Sequence, residues 1–160
     1  LDQCAFERMR LSSISLGGRH FPVRPICQYL LVIAFGNLVW EFAHMPLYEL
    51  WQTGTQAEIV FAAVHCTGGD ILIAFFTLTL SVFVTSNIGG AATWGRSTIV
   101  LALVMGLLYT AFSEWLNIEI RGSWAYSDWM PVIPIINMGL SPALQWIVIP
   151  LLAFKISSTR

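Results

Sequence analysis

Charge and cysteine are both scarce in this chain of 160 residues. Charged side chains make up 11% of it, less than half of the roughly 25% found in soluble domains. A solvated surface of ordinary composition is excluded, because 56% of the residues are hydrophobic and so short a fold has too little interior to hide them. The three cysteines, Cys4, Cys27 and Cys66, lack the spacing of a zinc ribbon, a redox pair or a disulfide framework. Cys27 and Cys66 lie in apolar runs and are predicted to be buried.

Long apolar runs are what the chain has instead. A hydrocarbon core of ~30 Å takes about 20 helical residues, and four runs approach or exceed that length. We predict an all-α, four-transmembrane-helix bundle. Pro150 lies inside the short fourth run, so we expect a kink or an early end of the helix there. The predicted helices cover residues 26–45, 59–84, 97–115 and 141–155 of a single domain, 26–157, which follows a basic cytoplasmic N-terminal segment, 1–25.

Basic residues lie almost entirely on one side of this predicted bundle. Arg121 alone falls on the other side. The positive-inside rule assigns the basic side to the cytoplasm, and an even number of spans then places both termini there. The opposite, outer side carries the aromatic residues typical of a membrane interface, namely Tyr48, Trp51, Trp115, Trp124, Tyr126 and Trp129.

The long outer-side loop between the third and fourth helices, residues 118–140, begins polar and aromatic. It then becomes apolar but is broken by Pro131 and Pro134, and it is too short to span the bilayer. Two interpretations stay open: an interfacial loop, or a lid that folds over a site at the outer end of the bundle.

Five ionisable side chains fall inside the predicted spans, where such groups are costly and indicate function. At 1.5 Å per residue, they all lie in the outer half of the membrane or at its inner limit, since the deepest is ~16 Å below its outer helix end. Two of the carboxyl groups lie near C-terminal helix ends, which disfavour negative charge, so each requires a proton, a cation or a metal. The five residues are Glu41, His44, His65, Asp70 and Glu114, with Gln145 as a polar neighbour.

The facing of the two polar residues in the second helix differs. His65 and Asp70 are separated by five positions, about 140° around a helix, so both cannot face the interior of an undistorted bundle. The Gly68–Gly69 pair between them is a candidate for a bend or a close helix contact.

A metal site is one interpretation of the polar layer. Glu41 and His44 have the i, i+3 spacing that carboxylate-bridged dimetal bundles use. His65, Asp70 and Glu114 would complete a set of nitrogen and oxygen donors suited to Fe, Zn, Cu or Mn. The sequence contains one such Glu-x-x-His pair, whereas a dimetal bundle uses two.

Acid–base chemistry on a lipid or isoprenoid substrate is a second interpretation. Glu41, Asp70 and Glu114 are the candidate catalytic residues, since buried carboxyl groups can donate and remove protons. Aromatic rings would line an apolar pocket and stabilise a cationic intermediate. The candidates for binding a ligand or cofactor are Tyr109, Trp115, Gln145 and Trp146, together with Trp40.

The third interpretation is structural, and the size of the chain favours it. The polar groups then hold the helices together by hydrogen bonds, and the chain is an accessory subunit of a larger membrane complex. Transport would require an oligomer of so small a bundle. The predicted partners are the lipid bilayer and either other membrane subunits or further copies of the chain. No nucleic acid is expected, because the N-terminal arginines suit anionic lipid headgroups.

Four sequence blocks together resemble a family of small four-span bacterial membrane proteins. The blocks are residues 40–48, 65–70, 112–117 and 121–126, and the resemblance covers about residues 28–153. It implies a bacterial inner membrane and four spans. It carries no activity, cofactor or catalytic residue, so the functional expectations depend on the polar layer.

Overall fold

The computed structural model describes residues 13–16, 19–89 and 94–158. Within these residues, four helices are long and apolar enough to span a membrane, which confirms the four predicted spans. We label them α1 to α4 in chain order. They are α1, Val23–His44; α2, Gln56–Gly89; α3, Arg96–Trp115; and α4, Leu140–Ser158.

Each helix extends beyond its predicted limits at one end or both, for local reasons. The start of α2 is set by a reciprocal cap, in which the Thr55 amide donates to Glu58 Oε2 at 2.8 Å and the Glu58 amide donates to Thr55 Oγ1 at 3.3 Å. At the other end of α2, the Ser86 hydroxyl donates to the Val82 carbonyl at 2.6 Å, so a polar residue continues the helix. The expected early end at Pro150 was wrong, because α4 runs through that residue to Ser158.

The four helices form a ring. α1 packs against α2 and α4, and α3 packs against the same two helices from the other side. The hydrophobic core fills the half of the ring where α1 and α3 begin, with Tyr29, Ile33, Ala74, Leu78 and Phe154 among its members. The outward surfaces of the helices carry exposed large apolar side chains, as expected of a bundle in lipid; Phe35, Phe61, Phe76, Phe83 and Leu108 are examples.

Two short antiparallel hairpins depart from the all-α prediction. The first, β1 (Ser13–Leu16) with β2 (Arg19–Pro22), lies in the predicted N-terminal segment; residues 1–12 of that segment lie outside the described residues. The second pairs β3 (Val132–Ile133) with β4 (Met138–Gly139) between α3 and α4. Strands this short give no periodic signal in the sequence.

Residues 116–139, which we call the cap segment, fold over the end of the bundle where α1 and α3 end. The segment starts with a π-helical turn, Leu116–Ile120, that prolongs α3. The Ser127 amide donates to the Leu47 carbonyl, and the Glu49 amide donates to the Ala125 carbonyl, both at 3.0 Å. The cap segment is therefore bonded to the chain that follows α1, as the lid interpretation requires. We call this end of the bundle the capped end.

Candidate functional site

A cavity of about 290 Å³ lies beneath the cap segment, between the hydrophobic core and the capped end. All four helices contribute to its wall. Most of the polar residues predicted inside the spans converge on it, and they are buried although they are titratable or strongly polar. The lining residues with this character are Glu41, His44, Asp70, Glu114 and Gln145.

The Gln145 side chain joins three helices at the centre of this cluster. Its Nε2 lies 3.0 Å from Asn37 Oδ1, 3.0 Å from Glu41 Oε1 and 3.1 Å from Asp70 Oδ2. Gln145 is only 2% exposed, so the amide is shielded from bulk solvent. An amide nitrogen has two hydrogens, and three oxygens therefore share two donors.

The Glu41–His44 pair is held in a directed chain of hydrogen bonds. The Trp40 indole donates to Ser141 Oγ at 3.2 Å, and Ser141 Oγ lies 2.9 Å from His44 Nδ1. Because an indole can only donate, the Ser141 hydroxyl has its own proton available for Nδ1. This arrangement favours a proton on His44 Nε2, which lies 3.1 Å from Glu41 Oε2. Both oxygens of Glu41 are thus hydrogen-bonded, one to His44 and one to Gln145.

The Glu114 carboxyl group is tied to the cap segment instead. The Tyr126 hydroxyl donates to Glu114 Oε2 and accepts the Gly139 amide at 2.8 Å. Burial raises the pKa of Tyr126 above its ordinary value of 10.0, and the hydrogen bond and charge of Glu114 raise it further. Burial also raises the pKa of Tyr48, and the Glu114 charge adds to the shift. Both phenols therefore stay protonated beside this carboxyl group at neutral pH.

Two polar groups at the cavity have no hydrogen-bond partner. The Thr110 hydroxyl is one; its residue is 7% exposed and lines the wall on α3. The Trp124 indole of the cap segment is the other, and it lies near Glu114 without closing a hydrogen bond. Buried polar groups are nearly always paired, so the Thr110 hydroxyl and the Trp124 indole are available to a polar group inside the cavity.

The structure places the other predicted residues as follows. Tyr109 and Trp146 line the cavity, Trp146 being 3% exposed. His65 lines it as well, but on an exposed edge, whereas Asp70 is buried. Their different facing agrees with the five-residue spacing. Trp115 is not among the lining residues and is 49% exposed.

Two expectations about small residues of α1 and α2 were wrong. Cys27 is exposed, and Cys66 is only partly buried, because apolar side chains in a membrane span need not face the core. A Cβ atom at Gly68 or at Gly69 would meet nothing within 4 Å, so neither glycine serves a close helix contact. α2 also continues through both without interruption.

The metal interpretation receives no support from this geometry. In the part of the chain that the structure describes, no three His, Cys, Asp or Glu side chains form a group that could hold a metal ion. The physical reason lies in the partners already named: His44 Nδ1 faces Ser141, and Glu41 is bonded to His44 and Gln145.

Several residues of the site were not predicted. Asn37 has no charge and falls in an apolar run, so only its polarity could have drawn attention to it. Thr110 resembles any helix threonine that bonds its own backbone. Tyr126 was assigned to the interfacial aromatic belt, and its bond to Glu114 depends on the fold of the cap segment. Arg121, an exposed residue of that segment, also lines the cavity.

Comparison of the chain with protein-family models, curated proteins and solved structures finds no match. Membership in the family that the four sequence blocks resemble stays a prediction. A function for this chain must therefore be inferred from the geometry of the cavity.

Proposed function

We propose that this chain is a small membrane enzyme that moves protons on a largely apolar substrate, such as a lipid or an isoprenoid. Asp70 on α2 and Glu114 on α3 are the proposed catalytic residues. One carboxyl group gives a proton to the substrate while the other, as a carboxylate, removes a proton from it. The net result is an isomerisation or exchange that needs no redox partner, and the two carboxyl groups end with the same number of protons between them.

The observation that carries this proposal is the convergence of both carboxyl groups on one cavity with a buried, unpaired hydroxyl. Asp70 is oriented by Gln145, and Glu114 by Tyr126. Thr110 lies four residues before Glu114 on the same face of α3 and is free to bind a polar group of the substrate. The Trp146 indole donates toward the Asp70 carboxyl group, and its ring supplies an apolar wall of the cavity.

Glu41 has a supporting role in this proposal. Both of its oxygens are already bonded, to His44 and to Gln145. It is therefore a positioning residue that fixes the Gln145 amide against Asp70, rather than a group that touches the substrate.

The accessory-subunit interpretation accounts for less of the geometry. Hydrogen bonds between helices explain Gln145 and its three acceptors. They do not explain why the helices surround a cavity, or why Thr110 and Trp124 face it without partners. A bundle held together only for stability would close around these groups, since each unpaired buried polar group costs about 1–3 kcal/mol.

The proposal includes the predicted orientation in a bacterial inner membrane, with both termini in the cytoplasm and the cap segment outside. Support comes from the basic residues, since only Arg121 belongs to the capped end. The four blocks that resemble bacterial membrane proteins support the same location.

Incorporation of solvent deuterium tests the proposal without a known substrate. The protein is purified, reconstituted with a lipid extract of its own source membrane, and incubated in D₂O. Proton transfer at carbon then adds deuterium to one lipid species, which mass spectrometry detects. We expect Asp70→Asn and Glu114→Gln to abolish the label, and Glu49→Gln to keep it, because Glu49 is an exposed residue outside the cavity lining. Equal labelling with the wild type and with Glu114→Gln would refute the proposal.

A further inference from the structure

The α2 wall of the cavity has a buried edge and an open edge. Lining residues recur along it at helical spacing, from Ala62 to Ile73, a length of about 16 Å at 1.5 Å per residue. Asp70 on one edge is buried, whereas His65 on the other is exposed and Gly69 is partly exposed. The cavity therefore reaches the surface along one side of α2.

The α3 wall has the same two edges. Thr110 and Glu114 are each 7% exposed, but their neighbours in the lining, Tyr109 and Ser113, lie toward the surface, and Tyr109 is 50% exposed. Because α2 packs directly against α3, the open edges of the two walls border one gap. We call this gap the slit; it is lined by Ala62, His65, Gly69, Ile73, Tyr109 and Ser113.

The composition of the slit suits an apolar ligand. None of its six residues is an aspartate, glutamate, lysine or arginine, and the His65 ring stacks on the Phe61 ring with the centroids 5.5 Å apart. Both helices lie within segments long and apolar enough to span the membrane, so the slit faces the bilayer. Charged Arg121, in contrast, lies where the cavity approaches the capped end.

We propose that the substrate reaches the cavity sideways from the bilayer, through the slit between α2 and α3. The substrate is then a bilayer-dissolved amphiphile, whose apolar part occupies the slit and whose polar part meets Thr110, Asp70 and Glu114. This inference rests on the proposed function for its substrate, but the route itself is a property of the cavity.

Two adjacent glycines give a matched pair of variants. A Cβ atom at either Gly68 or Gly69 meets nothing within 4 Å, so both positions accept a side chain. Gly69 lines the cavity and Gly68 does not. A leucine at position 69 therefore obstructs the slit, and a leucine at position 68 adds the same apolar group to the same helix outside it.

The thiol of Cys66 reports on access, because it lines the cavity and is partly buried. In proteoliposomes of a variant with Cys4→Ser and Cys27→Ser, two rates of Cys66 modification are measured: alkylation by apolar N-phenylmaleimide, and mixed-disulfide formation with a charged trimethylammonium methanethiosulfonate, which releases methanesulfinate. We expect the apolar reagent to react about tenfold more slowly in Gly69→Leu, the factor that a barrier of ~1.4 kcal/mol produces. In Gly68→Leu the rate should be unchanged.

A second variant guards against misfolding of Gly69→Leu. Tyr109→Ala truncates a half-exposed side chain at the slit and should speed the apolar reaction. The route is overturned if neither variant changes the apolar rate. It is also overturned if the charged reagent reacts faster after each rate is divided by that reagent's rate with a free thiol in solution, since access would then be through the capped end. Labelling needs no turnover. A changed rate of Cys66 modification without deuterium incorporation would therefore refute the acid–base function and leave the route standing. Deuterium incorporation with an unchanged rate of Cys66 modification would refute the route and leave the function standing.

Discussion

Replacing Gln145 by leucine removes the donor that joins three helices at the cavity. The Gln145 amide faces Asn37, Glu41 and Asp70 at 3.0–3.1 Å, and leucine keeps a similar volume without any hydrogen-bond donor. Hydrogen bonds between membrane helices contribute ~0.6 kcal/mol on average and ~1.7 kcal/mol at most. Since the amide has two hydrogens, we expect Gln145→Leu to lower the free energy of unfolding by about 1 to 3.5 kcal/mol.

The measurement is reversible unfolding in mixed micelles with a rising fraction of dodecyl sulfate, followed by tryptophan fluorescence. Gln52→Leu is the matched control, because Gln52 is an exposed glutamine outside the cavity lining, and its change should stay within about 0.5 kcal/mol. Removal of both members of a buried pair costs less than removal of one. The double variant Gln145→Leu with Asp70→Leu should therefore lose less stability than the two single changes added together.

A loss below about 0.5 kcal/mol for Gln145→Leu, the size of an ordinary surface substitution, would refute the reasoning. It would mean that the three acceptors are satisfied by other groups in the folded protein. Additive effects in the double variant would also contradict it, because the two side chains would then not interact.

Two further predictions concern the neighbours of this cluster. Tyr126 keeps its proton to a higher pH in the folded than in the unfolded state, so its stabilising contribution is complete below pH ~10 and is lost above it. The loss is at most ~1.4 kcal/mol per pH unit, and it is smaller here because the ring is partly exposed. Tyr126→Phe should therefore flatten the fall of Tm above pH ~10, and an unchanged slope would contradict the raised pKa. A Cβ atom at Gly106 would lie 2.7 Å from Trp146 Cζ3. Gly106→Ala should therefore lower the free energy of unfolding by about 1–3 kcal/mol through overpacking and shift the tryptophan fluorescence emission. The control Gly68→Ala should change neither quantity.

The spans could be predicted because run length and helix-ending prolines are local properties of the chain. The first span was placed within a few residues of α1 in this way, with Pro46 at its end. The second was placed too short, because the Thr55–Glu58 cap and the serine near its far end extend a helix beyond its apolar run. Short polar side chains that bond their own helix are not visible as hydrophobicity.

The depth of the polar layer in the membrane could be predicted from the sequence, but the hydrogen bonds within the layer could not. Counting residues placed Glu41, Asp70 and Glu114 in the outer half of the membrane or at its inner limit, and spacing separated the facing of His65 from that of Asp70. Which groups pair depends on how helices distant in sequence pack. The bond between Tyr126 and Glu114 requires the cap segment to fold back on the chain after α1, and no local pattern in residues 116–139 specifies that contact.

The hydrogen bonds of the cap segment are distributed unevenly among the helices. They connect it to the chain after α1, to Glu114 on α3 and to the start of α4. Between the half of α2 near the capped end and the other helices, the side-chain hydrogen bonds of the described residues meet at Asp70, which accepts from Gln145 at 3.1 Å and has the Trp146 indole as its other donor. The polar attachment of that half of α2 to the rest of the bundle therefore depends on one carboxyl group, the same group to which the proposed function assigns proton transfer.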